Sequence, residues 1–354
     1  MAMIPTQMSG VYLTRHGGPD ALEWREDIPV PTPGPGQALV RVLAAGVNNT
    51  DINTRTGWYS KTVTGATDGD SGDDVESGGY AGALNFPLIQ GGDLCGEVVA
   101  TGADVTGIDT GMRVICGINQ PRPTSENPVA FEVIGSEYDG AFAEYCCAPA
   151  DQLYDVSAAP LSDVELGAMP CAFGTAMALL DRASVGKDDT VLITGASGGV
   201  GLAAVQLAAL RGARVLAQTS AAKADVVREA GADEILGRGE TPGVQSITAA
   251  IDLVGGPDWG ALLEALRPGG RYATAGAIAG PMVEADLRTI YLNDLTIFGV
   301  TFQPPESFAG LVDLINRGKV RPLVSKTYPL KDIGAAQEDF AAKTYPGKLV
   351  LLPG

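Results

Sequence analysis

Residues 191–218 constrain this chain more than any other stretch. Val191, Leu192, Ile193 and Thr194 form a short apolar, β-tending run that meets Gly195-Ala196-Ser197-Gly198-Gly199-Val200-Gly201. An apolar helical stretch, 202–210, follows at once, and then a second strand, 214–218. Strand, glycine turn, helix and strand make the first half of a dinucleotide-binding βαβ unit. Glycine lets the backbone turn tightly and approach a pyrophosphate with no Cβ in the way. The helix that starts there presents unpaired N–H groups and the positive end of its dipole to phosphate oxygens. The pattern reads Ala-x-Gly-x-x-Gly from Ala196, with alanine in place of the first glycine. Its flanks agree with a nucleotide site, which would put Ala196, Ser197, Gly198, Gly199 and Val200 at the phosphates. The other reading is a glycine turn in an α/β protein with no ligand.

The end of the second strand bears on which nucleotide. NAD sites place Asp or Glu about twenty residues past the turn, on the ribose hydroxyls. This chain reads Gln218-Thr219-Ser220-Ala221-Ala222-Lys223 there. No carboxylate is present to repel a 2′-phosphate, and the Ser220 hydroxyl and Lys223 ammonium are available to bind one. Arg238, after the next short strand (234–236), is a third partner. The missing acid favours NADPH over NADH; Lys223 taken alone is as ordinary as a solvated helix residue.

The chain has 354 residues, enough for two domains that each bury a core. A net charge of −18 argues against a nucleic-acid partner, which needs a basic footprint. No charged leader with an apolar core and no apolar run of membrane-spanning length is present, so a cytoplasmic protein without a membrane partner is expected. Cys95, Cys116, Cys146, Cys147 and Cys171 form no Cys-x-x-Cys. They read as small apolar residues rather than disulfides or a structural zinc site.

Short strands at 11–14, 22–26 and 38–44, a glycine turn then strand over 91–100, and others opening at 111–114 and 140–145, indicate a β-rich, barrel-like first domain. Asp51 and Arg55, at i and i+4, are expected to brace one helical turn. Residues 60–86 hold Asp68, Asp70, Asp73, Asp74 and Glu76 among glycines and serines, and read as a solvated surface loop. A calcium loop lacks its ligand spacing there, and a part in covering a site is the other reading. Helical periodicity runs over 161–182. Beyond the glycine turn come a helix at 222–230, a buried strand at 249–254, and a helix at 259–266 stopped by Pro268-Gly269-Gly270. Strands at 271–275 and 296–300 follow. Strands alternating with helices predict a doubly wound parallel sheet, and 326–329 with 347–352 return to β character and rejoin the first domain. The expected division is 1–155 with 305–354, and 156–304 for the cofactor domain.

The chain resembles a medium-chain dehydrogenase/reductase almost end to end, and within that superfamily the zinc-free quinone oxidoreductase branch. Gly46-Val47-Asn48 with Asp51, Arg55, Gly57 and Tyr59 resembles a signature of that branch. So do Gly92-Asp93 with Gly96, Ala196 to Gly201, Ser220 with Lys223, and Gly347-Lys348. Arg238 falls where the branch often has a tyrosine. The resemblance implies a GroES-like catalytic domain beside a Rossmann domain, and cofactor contacts from Asn48, Thr175, Lys348 and the backbone around Val254, Gly276 and Ala277. It also implies a homodimer paired through the edge of the cofactor sheet, near 291–300. A zinc alcohol dehydrogenase of the same superfamily is the rival. Its Cys and His ligand positions correspond to Asn48 and Gly92, and only Cys171 matches a ligand. The sole histidine, His16, lies in the N-terminal hairpin. An amide and a glycine cannot stand in for a thiolate and an imidazole, so no metal is expected.

Without a metal to polarise an alcohol, an activated acceptor is implied: a quinone, enone, enal or enoyl thioester reduced with NADPH. Asn48 would hold nicotinamide or substrate. Tyr59 is either the hydroxyl for the substrate carbonyl or an apolar wall. Tyr80 and Phe302 are weaker candidates for shaping the acceptor pocket. An enoyl-CoA reductase and a non-catalytic NADPH-binding protein, as among this branch's lens-crystallin relatives, stay open.

Overall fold

The computed structural model describes residues 3–67, 79 and 82–354, which fall into two compact units. One gathers the described residues of Met1–Val63, Asp70–Cys171 and Phe308–Gly354; the other gathers those of Thr64–Gly69 and Ala172–Ser307. Residues 156–171, given to the cofactor domain on sequence, pack with the first unit. Arg113 Nη1 donates to Leu161 O at 3.1 Å, and Ala168 packs against Ala44 and Val350. Among the described residues, no helix is long and apolar enough to cross a membrane.

The second unit holds a six-stranded parallel sheet. Its spatial order is Glu234–Leu236, Arg214–Gln218, Thr190–Ile193, Ile247–Asp252, Leu266–Thr274, Thr296–Gly299. Numbered along the chain that is 3-2-1-4-5-6, the Rossmann order, with its switch point between Thr190–Ile193 and Ile247–Asp252. The central strands read as unbroken apolar runs because both faces are covered. Val191, Leu192, Ile193, Ala249, Ala250 and Ile251 are fully buried. Helix Gly199–Leu210 is apolar around most of its circumference and is correspondingly buried along its length.

One boundary differs from expectation. The helix ends at Ala265, and the strand starts at Leu266 and runs through Pro268-Gly269-Gly270. The register shifts between Ile247 and Ala249. Gly269, at φ +76°, donates its N–H to Asn293 O, so the glycines kink an otherwise continuous strand instead of ending it.

The first unit is built on strand Gln37–Gly46, which pairs antiparallel with Cys95–Thr101, Tyr145–Pro149 and the C-terminal strand Lys348–Leu352. Arg113–Cys116 and Leu153–Asp155 extend the sheet on one side and Val324–Pro329 on the other. A separate three-stranded sheet joins Gln7–Leu13, Leu22–Pro29 and Leu88–Ile89. The strand expected over 140–145 is absent; Tyr145–Pro149 is the strand, and Ala143 makes a single bridge to Gly10. The N–H groups of Gly140, Ala141 and Phe142 go instead to the carbonyls of Ile89, Gly91 and Gln90. All five cysteines are free thiols, and four are buried.

Candidate functional site

In the second unit the glycine turn is shaped by close approaches. Gly195 adopts φ +58°, and Gly198 donates back to Gly195 O at 3.1 Å, while Ala196 N–H is held by Gln218 O. A Cβ on Gly201 would lie 2.3 Å from Gly195 O and 2.6 Å from Ala196 Cα. Only glycine allows the helix to pack this close to the strand. Ala196, the alanine that stands where the pattern has glycine, is itself fully buried. Ser197, Gly198, Gly199 and Val200 stay accessible at the N-terminal end of helix Gly199–Leu210, where N–H groups have no partner within the helix. This end fits the pyrophosphate of a dinucleotide.

The 2′-phosphate candidates come together at the next strand end. Ser220 precedes the turn Ala221–Lys223 and its carbonyl accepts from Lys223 N. Burial first, and then the Arg238 guanidinium, hold the Lys223 ammonium below its ordinary range. Two cations are thus near enough to oppose each other, as they would be around an anion. The Thr219 hydroxyl, in a residue 4% exposed, has no hydrogen-bond partner among the described residues.

Sequence reasoning missed the group that organises the remaining turns of this unit. Asp252, fully buried at the end of strand Ile247–Asp252, accepts from Thr194 Oγ1 at 2.5 Å and Tyr272 Oη at 2.5 Å. It also accepts from Val254 N at 2.9 Å and Gly255 N at 3.2 Å. That carboxylate spans the switch point and fixes the turn holding Val254. Val254 O in turn accepts from Ala279 N, and Thr274 Oγ1 donates to Gly276 O, so Val254, Gly276 and Ala277 lie on tied turns. A lone carboxylate closing the apolar run Ile-Thr-Ala-Ala-Ile-Asp was the available signal. Thr175 is reached by Gln303, whose Nε2 lies 3.4 Å from Thr175 Oγ1 while its buried Oε1 has no partner among the described residues.

In the first unit, Asn48 precedes helix Asn49–Thr56 and is 6% exposed. Its Nδ2 donates to Asp93 Oδ2 at 3.0 Å, and its Oδ1 accepts from Lys348 Nζ at 2.5 Å. Lys348 also donates to Asp93 Oδ2 at 2.8 Å and Val47 O at 3.0 Å. Asp93 Oδ1 accepts from Cys171 N at 2.6 Å, satisfying an N–H in the first turn of helix Pro170–Arg182. Lys348, expected to touch the cofactor, is therefore taken up by three acceptors beneath Asn48.

Asp51 and Arg55 do not brace each other as expected. Asp51 Oδ2 accepts from Asn48 N at 2.8 Å, while Arg55 donates from Nε to Gln337 Oε1 at 2.8 Å and from Nη1 to Gly17 O at 2.6 Å. Both side chains are buried; Asp51 closes a capping box with the residue three before it, and for Arg55 tertiary partners outcompete the i,i+4 pairing. Burial, opposed by hydrogen bonds to its carboxylate, pushes Asp51 up to about 7, with Asp93 adding to the shift.

A Cβ on Gly92 would lie 2.2 Å from Ile118 Cδ1, so an apolar side chain fills the space where a ligand side chain would begin. Among the described residues no three His, Cys, Asp or Glu side chains gather as a metal site. With Asn48 and Asp93 bound to an ammonium, these residues do not fit a catalytic metal.

Tyr59 is partly buried, with Oη 3.5 Å from Thr50 Oγ1 and its ring edge-on to Trp58 at 5.6 Å. Phe302 is partly buried in the second unit. Tyr80 and the acidic residues Asp68, Asp70, Asp73, Asp74 and Glu76 lie outside the described residues.

Comparison with known proteins agrees with both units. Residues 34–158 match the alcohol dehydrogenase GroES-like domain, and 199–317 match the zinc-binding dehydrogenase domain. The acryloyl-coenzyme A reductase of Metallosphaera sedula is 30% identical over 91% of this chain and 93% of the relative. The quinone oxidoreductase of Mus musculus is 27% identical over 98% of both. A cobalt- and zinc-bound thermostable alcohol dehydrogenase from Pyrobaculum aerophilum superposes with a TM-score of 0.83 at 28% identity, covering 98% of this chain and 100% of that one.

Proposed function

Since the chain belongs to the medium-chain dehydrogenase/reductase superfamily, and is thus an oxidoreductase that binds NAD(P)(H), we propose that it uses NADPH to reduce an activated double bond or quinone without a metal. The donor set at Asn48, Gly92 and Cys171 carries the metal-free part of this reading: an amide held by an ammonium, a glycine packed on Ile118, and one cysteine. The opposed cations Lys223 and Arg238, with no carboxylate in the stretch from Gln218 to Lys223, support NADPH.

The reduced nicotinamide supplies the hydride when bound. The protein's residues bind, orient and stabilise. Amides of Gly198 to Val200 hold the pyrophosphate, with Ala196 and Ser197 shaping the turn, and Ser220, Lys223 and Arg238 hold the 2′-phosphate. Thr175 and the turns carrying Val254, Gly276 and Ala277 orient the nicotinamide riboside, and Asp252 keeps the Val254 turn from moving. Asn48 holds the nicotinamide or the acceptor in place, and the Tyr59 hydroxyl is the donor that stabilises the charge developing on the acceptor's carbonyl oxygen. Enones, quinones and enoyl thioesters share this requirement, and the Metallosphaera relative's name favours including thioesters.

The test is a screen of quinones, enones and enoyl-CoA thioesters with NADPH, before and after chelation, with metal analysis of the purified protein. Chelator-resistant turnover of at least one class is expected. Loss of turnover on chelation, restored by one zinc per chain, would return the chain to the alcohol dehydrogenase reading.

The protein acts as a homodimer in this reading. Thr296–Gly299 is an open edge of the cofactor sheet, and Leu287, Tyr291 and Leu292 beside it are each more than 60% exposed. An unprotected apolar edge is a surface on which a second copy can continue the sheet.

A further inference from the structure

Lys348 reaches its place through the sheet. Strand Lys348–Leu352 pairs with the end of Gln37–Gly46, Val350 opposite Gly46, and Val47 N donates to Leu349 O at 2.9 Å. The last strand of the chain thereby delivers one ammonium to the turn before helix Asn49–Thr56. An ammonium has three donors and no acceptor. All three are used, on Val47 O, Asn48 Oδ1 and Asp93 Oδ2. Lys348 is 3% exposed and Asp93 fully buried, so neither charge is shared with water. The amide of Asn48 is locked in turn: Oδ1 faces the ammonium, and Nδ2 faces Asp93 and, at 3.4 Å, Gly46 O. Exchanging the amide's oxygen and nitrogen would set NH2 against an ammonium and oxygen against a carboxylate, so only one orientation is allowed.

We propose that the Lys348 ammonium is a built-in cation that takes the structural place of a metal beside Asn48, and that Lys348 and Asp93 are positioning residues that orient the Asn48 amide. This rests on the reading above for what Asn48 orients toward, but the lock itself is a property of the first unit. A metal at Asn48 would be repelled by the ammonium already on its amide oxygen. Ile118 occupies the start of the path that a ligand from position 92 would take. Asp93 holds the cation through one oxygen and the Cys171 N–H through the other.

Lys348→Met alone strands the Asp93 charge and risks misfolding, so Asp93→Asn/Lys348→Met, which removes both charges, is made alongside it. Full-length variants are compared for acceptor reduction with NADPH, for NADPH Kd by fluorescence, and for hydrogen exchange of the Asn48 side-chain amide by NMR. That resonance is assigned by its loss in Asn48→Ala. In the double variant the expected results are a tenfold or larger loss of kcat/KM for the acceptor, an NADPH Kd within twofold of wild type, and an Asn48 amide that exchanges at least 100-fold faster. Adding Asn48→Ala to it costs less than a further twofold, because the amide is already released. A tenfold weakening of NADPH binding would make Lys348 a cofactor ligand and overturn the proposal. So would additive losses or an unchanged amide exchange rate. If wild-type protein reduces no acceptor, the functional reading fails, and the exchange measurement decides the positioning role by itself.

Discussion

Asp51 is 4% exposed next to the Asp93–Lys348 pair, and that surrounding controls its charge. With the pair neutral overall, an ionised Asp51 would leave one buried negative charge, and burial raises it to about 7. The unfolded value is about 3.9, so between roughly pH 4 and pH 7 the folded chain holds a proton that the unfolded chain has lost. This contribution to stability is complete below about pH 4 and vanishes as pH rises through 7, on the order of 4 kcal/mol at about 1.36 kcal/mol per pKa unit. Thermal melts of wild type and Asp51→Asn from pH 5 to 8 are expected to diverge, the wild type losing stability as pH rises and the neutral variant lacking that slope. Parallel curves would mean that Asp51 is ionised throughout. Lys223 poses the opposite case, a cation kept near a second cation. Lys223→Glu is expected to raise KM for NADPH by at least tenfold and KM for NADH by less than threefold; equal effects would remove the 2′-phosphate from this corner.

At the scale of elements, the contacts that matter are places where backbones nearly touch. Gly201 lets helix Gly199–Leu210 sit against the turn after strand Thr190–Ile193. Gly201→Ala is expected to weaken NADPH binding at least tenfold, read by fluorescence titration, while circular dichroism stays native-like. Binding within twofold of wild type would show that the turn can relax around a methyl. Gly46, at the end of strand Gln37–Gly46, has the same character: its Cβ would fall 2.3 Å from Asp93 Oδ2 and 2.7 Å from Gly167 O. The glycine turn was legible because strand, turn and helix follow one another along the chain. The need for glycine at position 46 was not, because Asp93, Gly167 and Lys348 are far away in sequence. The kinked strand Leu266–Thr274 was misjudged for a related reason: Pro268-Gly269-Gly270 is a local stop signal, and pairing with Ile247–Asp252 overrides it.

For the whole molecule, the charge of −18 keeps copies apart in general, so association needs a surface where apolar area outweighs repulsion. The edge strand Thr296–Gly299 and helix Leu287–Leu292 offer one. Leu287→Arg/Leu292→Arg is expected to convert a dimer to a monomer in analytical ultracentrifugation with the fold retained; an unchanged dimer would place the interface elsewhere. The alternation of strands and helices in the second unit, the β-rich character of the first, and the residue types at positions 48 and 92 could all be read in the sequence. Each is written as a local succession of residue types or as a residue type that cannot do a chemistry. The partners of the buried charges Arg55, Asp252 and Lys348 were decided by tertiary structure. Arg55 turns away from Asp51 toward Gln337, and Asp252 gathers donors from two neighbouring strands. Lys348 crosses 300 positions to meet Asn48. A buried charge takes whichever partner best replaces water, and sheet pairing, which sequence spacing does not record, determines which partners are within reach.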